Sequence, residues 1–116
     1  MKNLKEFEQL IVRYESIEID EIKKAFNLVD SPAMYLTGFG ESDTCTLCKA
    51  VKSAHFGHHC DDCVYGIKYG CNRFPMERSF EMIYESKTPN ELLRAYRNRA
   101  KAMRKFANTI NLKLSV

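Results

Sequence analysis

Cys45-Thr-Leu-Cys48 and Cys60-Asp-Asp-Cys63 are two C-x₂-C pairs separated by eleven residues. Each pair folds as a tight knuckle that points both sulfurs the same way, and two knuckles supply four thiolates to one tetrahedral zinc ion. Four thiolates close the shell, whereas a catalytic zinc keeps an open position. The pattern therefore predicts structural Zn²⁺ held by Cys45, Cys48, Cys60 and Cys63, with binding energy appearing as folding energy. Cys71 follows eight residues after Cys63, and His55, His58 and His59 lie between the knuckles. Cys71 and His59 are reserve ligands. Otherwise Cys71 is a small buried apolar residue, and the histidines are loop residues or donors to the thiolates. A disulfide framework needs an oxidising compartment. The odd count of five cysteines and the charged start MKNLKEFEQLIVRYE, with no apolar signal core, argue against it. Iron–sulfur ligation uses a more compact spacing.

Other chemistry leaves few traces. No Gly-rich phosphate loop, G-x-S-x-G or H-E-x-x-H occurs. His58-His59 beside a metal suggests a His-metal nuclease, but such enzymes place an Asn and a His downstream, and no histidine follows His59. Asp61 and Asp62 read as turn residues. The expectation is a protein without catalytic residues; a metal-dependent nuclease is the second alternative.

Charge is unevenly spread over the 116 residues. Residues 1–44 carry five basic and nine acidic side chains, whereas residues 89–116 carry seven basic and one acidic. Arg94, Arg97, Lys101 and Arg104 recur at steps of three and four, and Arg99 and Lys105 broaden the ridge. Such a ridge can follow a nucleic-acid backbone by neutralising phosphates, or meet an acidic protein surface. It can also flank an apolar seam with its stems and pair with Glu6, Glu8, Glu15, Glu18, Asp20 and Glu21. No recognisable nucleic-acid reading element accompanies it.

The positioning elements read as helices. Leu4, Phe7, Ile11 and Tyr14 predict a helix over roughly 3–15, and Ile19, Ile22, Phe26 and Val29 a second one, out of phase with the first near residues 15–18. Ser16 or Asp20 is placed to cap the second, and Asp30-Ser-Pro32 ends it. Residues 33–39 read as a short strand. Residues 77–85 predict a short helix burying Phe80, Ile83 and Tyr84. Thr88-Pro89-Asn90-Glu91 is a capping box with proline at the first helical position. From there Leu93, Tyr96, Ala100, Met103, Ala107, Ile110 and Leu114 form one narrow seam, about 33 Å long at 1.5 Å per residue. The expected fold is mainly α. It is a single-domain helical bundle with N-terminal helices over 1–30, an inserted zinc-knuckle module with a short β-hairpin over 31–75, and C-terminal helices over 76–116. The length of the seam suggests a homo-oligomer. No run is long enough to span a membrane.

Cys45-Thr-Leu-Cys48, Cys60-Asp-Asp-Cys63, Cys71 and Thr88-Pro-Asn-Glu-Leu-Leu-Arg-Ala95 resemble, in order and kind, small uncharacterised zinc-binding proteins of tailed bacteriophages. The resemblance covers about residues 45–100. Val64 stands where a proline often follows the second knuckle, and the N-terminal helices have no counterpart. The resemblance implies a bacterial host cytoplasm and a non-enzymatic protein that binds a host factor, for instance as an inhibitor of a defence system. The combined expectation is a cytoplasmic, zinc-stabilised protein that binds a macromolecule, with a protein as partner. The alternative is a nucleic-acid-binding regulator using the basic C-terminal helix.

Overall fold

A computed structural model describes residues 4–38 and 79–116. They form five helices: α1 (Leu4–Ser16), α2 (Ile19–Leu28), α3 (Pro32–Thr37), α4 (Ser79–Glu85) and α5 (Pro89–Thr109). The described part is a helical bundle, with no strand among the described residues. The two knuckles, and most of the segment expected to hold them, lie outside those residues.

α5 is the central element and packs against α1, α2 and α4, while α3 leans on α2. α1 buries Phe7, Leu10, Ile11 and Tyr14, an i, i+3, i+4, i+7 face. Ile17 is only 1% exposed although it lies in the break between α1 and α2. The break falls within the expected interval, but neither predicted cap serves it. Glu18 takes the N-cap position in an extended conformation, with no side-chain bond.

Residues 33–37 of the strand expected over 33–39 are helix instead, and Phe39 lies outside the described residues. Pro32 sits at the start of α3, and Gly38 ends it with φ 74° and an N–H bond to the Met34 carbonyl at 2.7 Å. Proline at N1 and glycine in the left-handed region are the two ends of a helix. Ala33, Met34 and Leu36 between them are good helix formers.

α5 begins as its capping signal requires. The Thr88 hydroxyl accepts the Glu91 N–H at 3.2 Å, an N-cap worth about 1 kcal/mol. The Glu91 carboxylate reaches back one residue further than in a standard capping box, to the Lys87 N–H at 3.2 Å. The other end departs from the expected seam. α5 stops at Thr109 in a Schellman turn. Asn111 has φ 57°, its N–H meets the Asn108 carbonyl at 3.1 Å, and the Leu112 N–H meets the Ala107 carbonyl at 2.8 Å. Asparagine tolerates this left-handed position better than most residues. Leu112 and Leu114 then pack from the folded-back tail, half-buried against the core.

The buried face of α5 is also wider than the single seam expected. Leu92, Ala95, Arg99, Ala102 and Phe106 are buried beside Tyr96, Ala100, Met103 and Ala107. Leu93 is only half-buried. A second stripe, one residue earlier than the first, thus lets α5 face several helices at once. Much of the seam that suggested an oligomer is covered within the monomer.

Candidate partner-binding surface

The basic ridge of α5 divides into side chains bonded to other parts of the chain and side chains that face solvent. Arg97 is a fork. Its two terminal nitrogens donate to the carbonyls of Tyr14 at 2.6 Å and Ile17 at 2.7 Å. Those carbonyls lie in the last turn of α1 and just beyond it, where a helix leaves acceptors without intrahelical donors. Arg104 pairs in two-pronged fashion with Glu15, at 2.7 and 2.9 Å, and donates to the Val116 main-chain oxygen at 2.7 Å.

Arg99 was expected on the ridge, but it is 5% exposed. It occupies the middle of the second apolar stripe, so the helix turns it inward. Its guanidinium donates to the Ser79 hydroxyl at 3.0 Å and lies 5.8 Å from the Phe80 ring centroid, within cation–π range. Arg94, Lys101 and Lys105 are exposed. They stand seven and four residues apart, so they share one side of the helix.

Arg13 had no assigned role, yet it joins three helices. It pairs with Glu21 on α2 and donates to the Leu36 carbonyl on α3 at 3.3 Å. Its sequence carries little signal, because an arginine in a polar stripe of α1 looks like any solvated residue. Tyr96, a residue of the expected seam, is fully buried. It stacks on Tyr14 with centroids 5.1 Å apart and an interplanar angle of 18°. Its hydroxyl lies 3.5 Å from the Ala33 carbonyl, with Thr37 as a second neighbour. Burial pushes its pKa up to about 12, so the phenol stays neutral over the physiological range.

These pairings set an acid limit. The hydrogen bond from Arg104 holds the Glu15 carboxyl below its ordinary value of 4.5, and Arg13 does the same for Glu21. Hydrogen bonds from Ser115 lower Glu8. A carboxylate with a depressed folded-state pKa stabilises the fold above its unfolded pKa and loses that contribution as pH falls through the folded value. The melting temperature is therefore expected to be level from pH 7 to about 5 with respect to these groups, and to fall below about pH 4.5. Glu15→Gln should flatten that fall while costing little at pH 7, because exposed pairs are worth at most about 1 kcal/mol. A wild-type-like acid slope in Glu15→Gln would remove Glu15 from the account.

On another side of the bundle, a groove of about 520 Å³ is lined by Phe26, Pro32, Met34, Ile83, Tyr84 and Leu92 together with Asp30, Ser31, Ala33 and Ser86. Ile83 and Leu92 form a buried floor, while Met34 is 39% and Tyr84 79% exposed at the rim. Asp30 is the one charged side chain among these residues. Leu28 and Tyr35, at 70% and 62% exposure, extend the apolar surface of α2 and α3.

All five cysteines and all three histidines fall within residues 39–78, outside the described residues, so the four predicted zinc ligands and the reserves Cys71 and His59 lie there too. Among the described residues, no group of His, Cys, Asp or Glu side chains is arranged to hold a metal. No helix among them is long and apolar enough to cross a membrane. Comparison with protein-family models, with curated proteins and with solved structures finds no match to this chain.

Proposed function

We propose that this chain is a zinc-stabilised helical protein that works by binding another protein. The observation that supports this reading best is the groove. It combines an apolar floor, exposed Met34 and Tyr84 at the rim, and one carboxylate, Asp30. A groove rimmed by exposed apolar side chains is a place where another protein's apolar anchor can seat. Asp30, the one charged side chain among the described lining residues, favours a partner segment that brings aliphatic or aromatic anchors with a lysine or arginine beside them. Three of the six ridge bases, Arg97, Arg99 and Arg104, are already paired within the chain. The three left exposed, Arg94, Lys101 and Lys105, are few for phosphate-driven binding. The bacteriophage resemblance gives the class of partner, a protein of the bacterial host, which the chain would bind as an inhibitor.

The docking claim is tested with a fluorescein-labelled amphipathic Leu/Lys helix, read by fluorescence anisotropy against the whole protein. Saturable binding is expected, weakened about tenfold or more by Met34→Glu, which puts on the rim a charge that the partner's apolar anchor would have to desolvate. Asp30→Asn should weaken it less, and Arg94→Ala not at all. Binding that ignores Met34→Glu and Asp30→Asn overturns the assignment. So does concentration-dependent self-association abolished by the same variants, which would make a second copy the occupant. Binding of single-stranded or duplex DNA with a steep salt slope, lost in Lys101→Ala/Lys105→Ala, would favour the nucleic-acid alternative.

The zinc part stands on Cys45, Cys48, Cys60 and Cys63. Protein purified under reducing conditions is expected to carry one zinc per chain, and well under one in Cys45→Ser/Cys60→Ser. A metal-free wild type removes the claim. Zinc supplies a fixed tetrahedral centre to a segment that is otherwise rich in turn residues.

A further inference from the structure

The end of α5 carries a contradiction between sequence rhythm and observed conformation. Ile110 and Leu114 continue the spacing of Tyr96, Ala100, Met103 and Ala107, and no proline or glycine lies between Thr109 and Val116. Nothing in that stretch forbids helix. The chain instead turns back at Asn111, with φ 57°. Leu112 and Leu114 become half-buried against the core. The Ser115 N–H and hydroxyl both donate to the Glu8 carboxylate on α1, and the Val116 oxygen accepts from Arg104.

We propose that residues 110–116 are a two-state strap with Asn111 as its hinge. In the docked state the tail lies on α1, held by Glu8 and Arg104. In the released state Asn111 returns to the right-handed region and α5 runs on through Leu114. Each state gives the tail backbone its own bonds. Docking gives the two turn bonds, from Asn111 to Asn108 and from Leu112 to Ala107, and one from the Ser115 N–H to Glu8, whereas release adds one helical bond per residue. Each state also has a use for the aliphatic side chains, because Leu112 and Leu114 face inward when docked while Ile110 and Leu114 prolong the seam when released. The balance rests on one non-glycine residue in the left-handed region, a conformation that costs most residues free energy and glycine none. Release frees Glu8 and uncovers the patch of core that Leu112 and Leu114 now shield. The strap thus controls access to a surface at the opposite end of α5 from its Thr88 cap.

The hinge is tested with Asn111→Ala, Asn111→Gly and Glu8→Gln in the whole protein, reading far-UV circular dichroism and amide exchange together. Asn111 is exposed, so the folded bundle should survive each change. Asn111→Ala disfavours the left-handed turn and should add about four to five helical residues, while the Ser115 amide exchanges about tenfold faster or more. Asn111→Gly should leave helix content unchanged and slow exchange at Leu112 and Ser115. Glu8→Gln weakens the far anchor without touching the hinge and should raise both helix content and Ser115 exchange. A tail in Asn111→Ala that stays protected at Ser115 overturns the proposal. So does faster exchange with no gain of helix in both Asn111→Ala and Glu8→Gln, which would mean simple fraying.

Discussion

Replacing Tyr96 with alanine is expected to lower the free energy of unfolding by about 3–5 kcal/mol, the largest single effect in this bundle. Tyr96 is fully buried, stacks on Tyr14 and points its hydroxyl toward the start of α3. One side chain therefore contacts α1 and α3 from the middle of α5. Alanine leaves a ring-sized cavity with rigid walls, and relaxation recovers only part of the loss. Stacked aromatic pairs add about 0.5–1.5 kcal/mol beyond area burial. Tyr96→Phe separates these contributions. It keeps the ring and the stack and loses only the hydroxyl's bonding to Ala33 and Thr37, so its cost should stay at about 0.5–1.5 kcal/mol. Small domains have about 5–15 kcal/mol in total, which puts Tyr96→Ala close to the edge of folding. Urea melts of the three proteins check this, and a Tyr96→Ala cost below about 1.5 kcal/mol would mean that the pair is not central.

The second large effect belongs to Arg97. Its guanidinium satisfies two carbonyls at the end of α1, at 2.6 and 2.7 Å. Removing it leaves both acceptors short of a donor on a half-buried surface, and hydrogen bonds from a charged donor contribute about 1.5–3 kcal/mol each. Arg97→Ala is expected to cost about 3 kcal/mol in a urea melt, allowing for partial replacement by water. Arg97→Lys keeps the charge, but a single ammonium cannot reproduce the planar fork, so it should recover less than half. Arg94→Ala, at an exposed position on the same helix, should stay within about 0.5 kcal/mol of wild type. Equal costs at Arg94 and Arg97 would refute the capping role.

The contrast between Arg94 and Arg97 also marks what the sequence could convey. The helices of α1, α2 and α5 were legible because their apolar residues repeat at helical spacing, and the Thr88 cap fixed where α5 begins. The second stripe of α5 was hidden by Arg99, a charged residue inside an otherwise apolar row of Leu92, Ala95, Ala102 and Phe106. The Ser79 hydroxyl and the Phe80 ring help to make that burial tolerable, and both come from another helix. α3 was misread because Tyr35 and Phe39 suggest a strand while Pro32 and Gly38 delimit a helix, and the punctuation outweighed the propensity. The end of α5 was missed because an asparagine at a C′ position is a quiet signal beside a strong periodicity. The groove was not legible at all, since Phe26, Met34, Ile83 and Leu92 come from four helices. The cysteine spacing is the most informative chemical pattern in the sequence, and it lies wholly outside the described residues.

The pairing of α1 with α5 has a consequence for how the protein comes into being. The bonds that join them span long stretches of chain, 83 residues from Arg97 to Tyr14 and 89 from Arg104 to Glu15. During synthesis α1 emerges with Phe7, Leu10, Ile11 and Tyr14 on one face and waits for the helix that covers them. At about 5–20 residues per second, that wait lasts on the order of four to sixteen seconds. The nascent chain thus carries an uncovered apolar face throughout that interval. Its yield in a cell should respond to holding chaperones and to elongation rate more than its small size suggests.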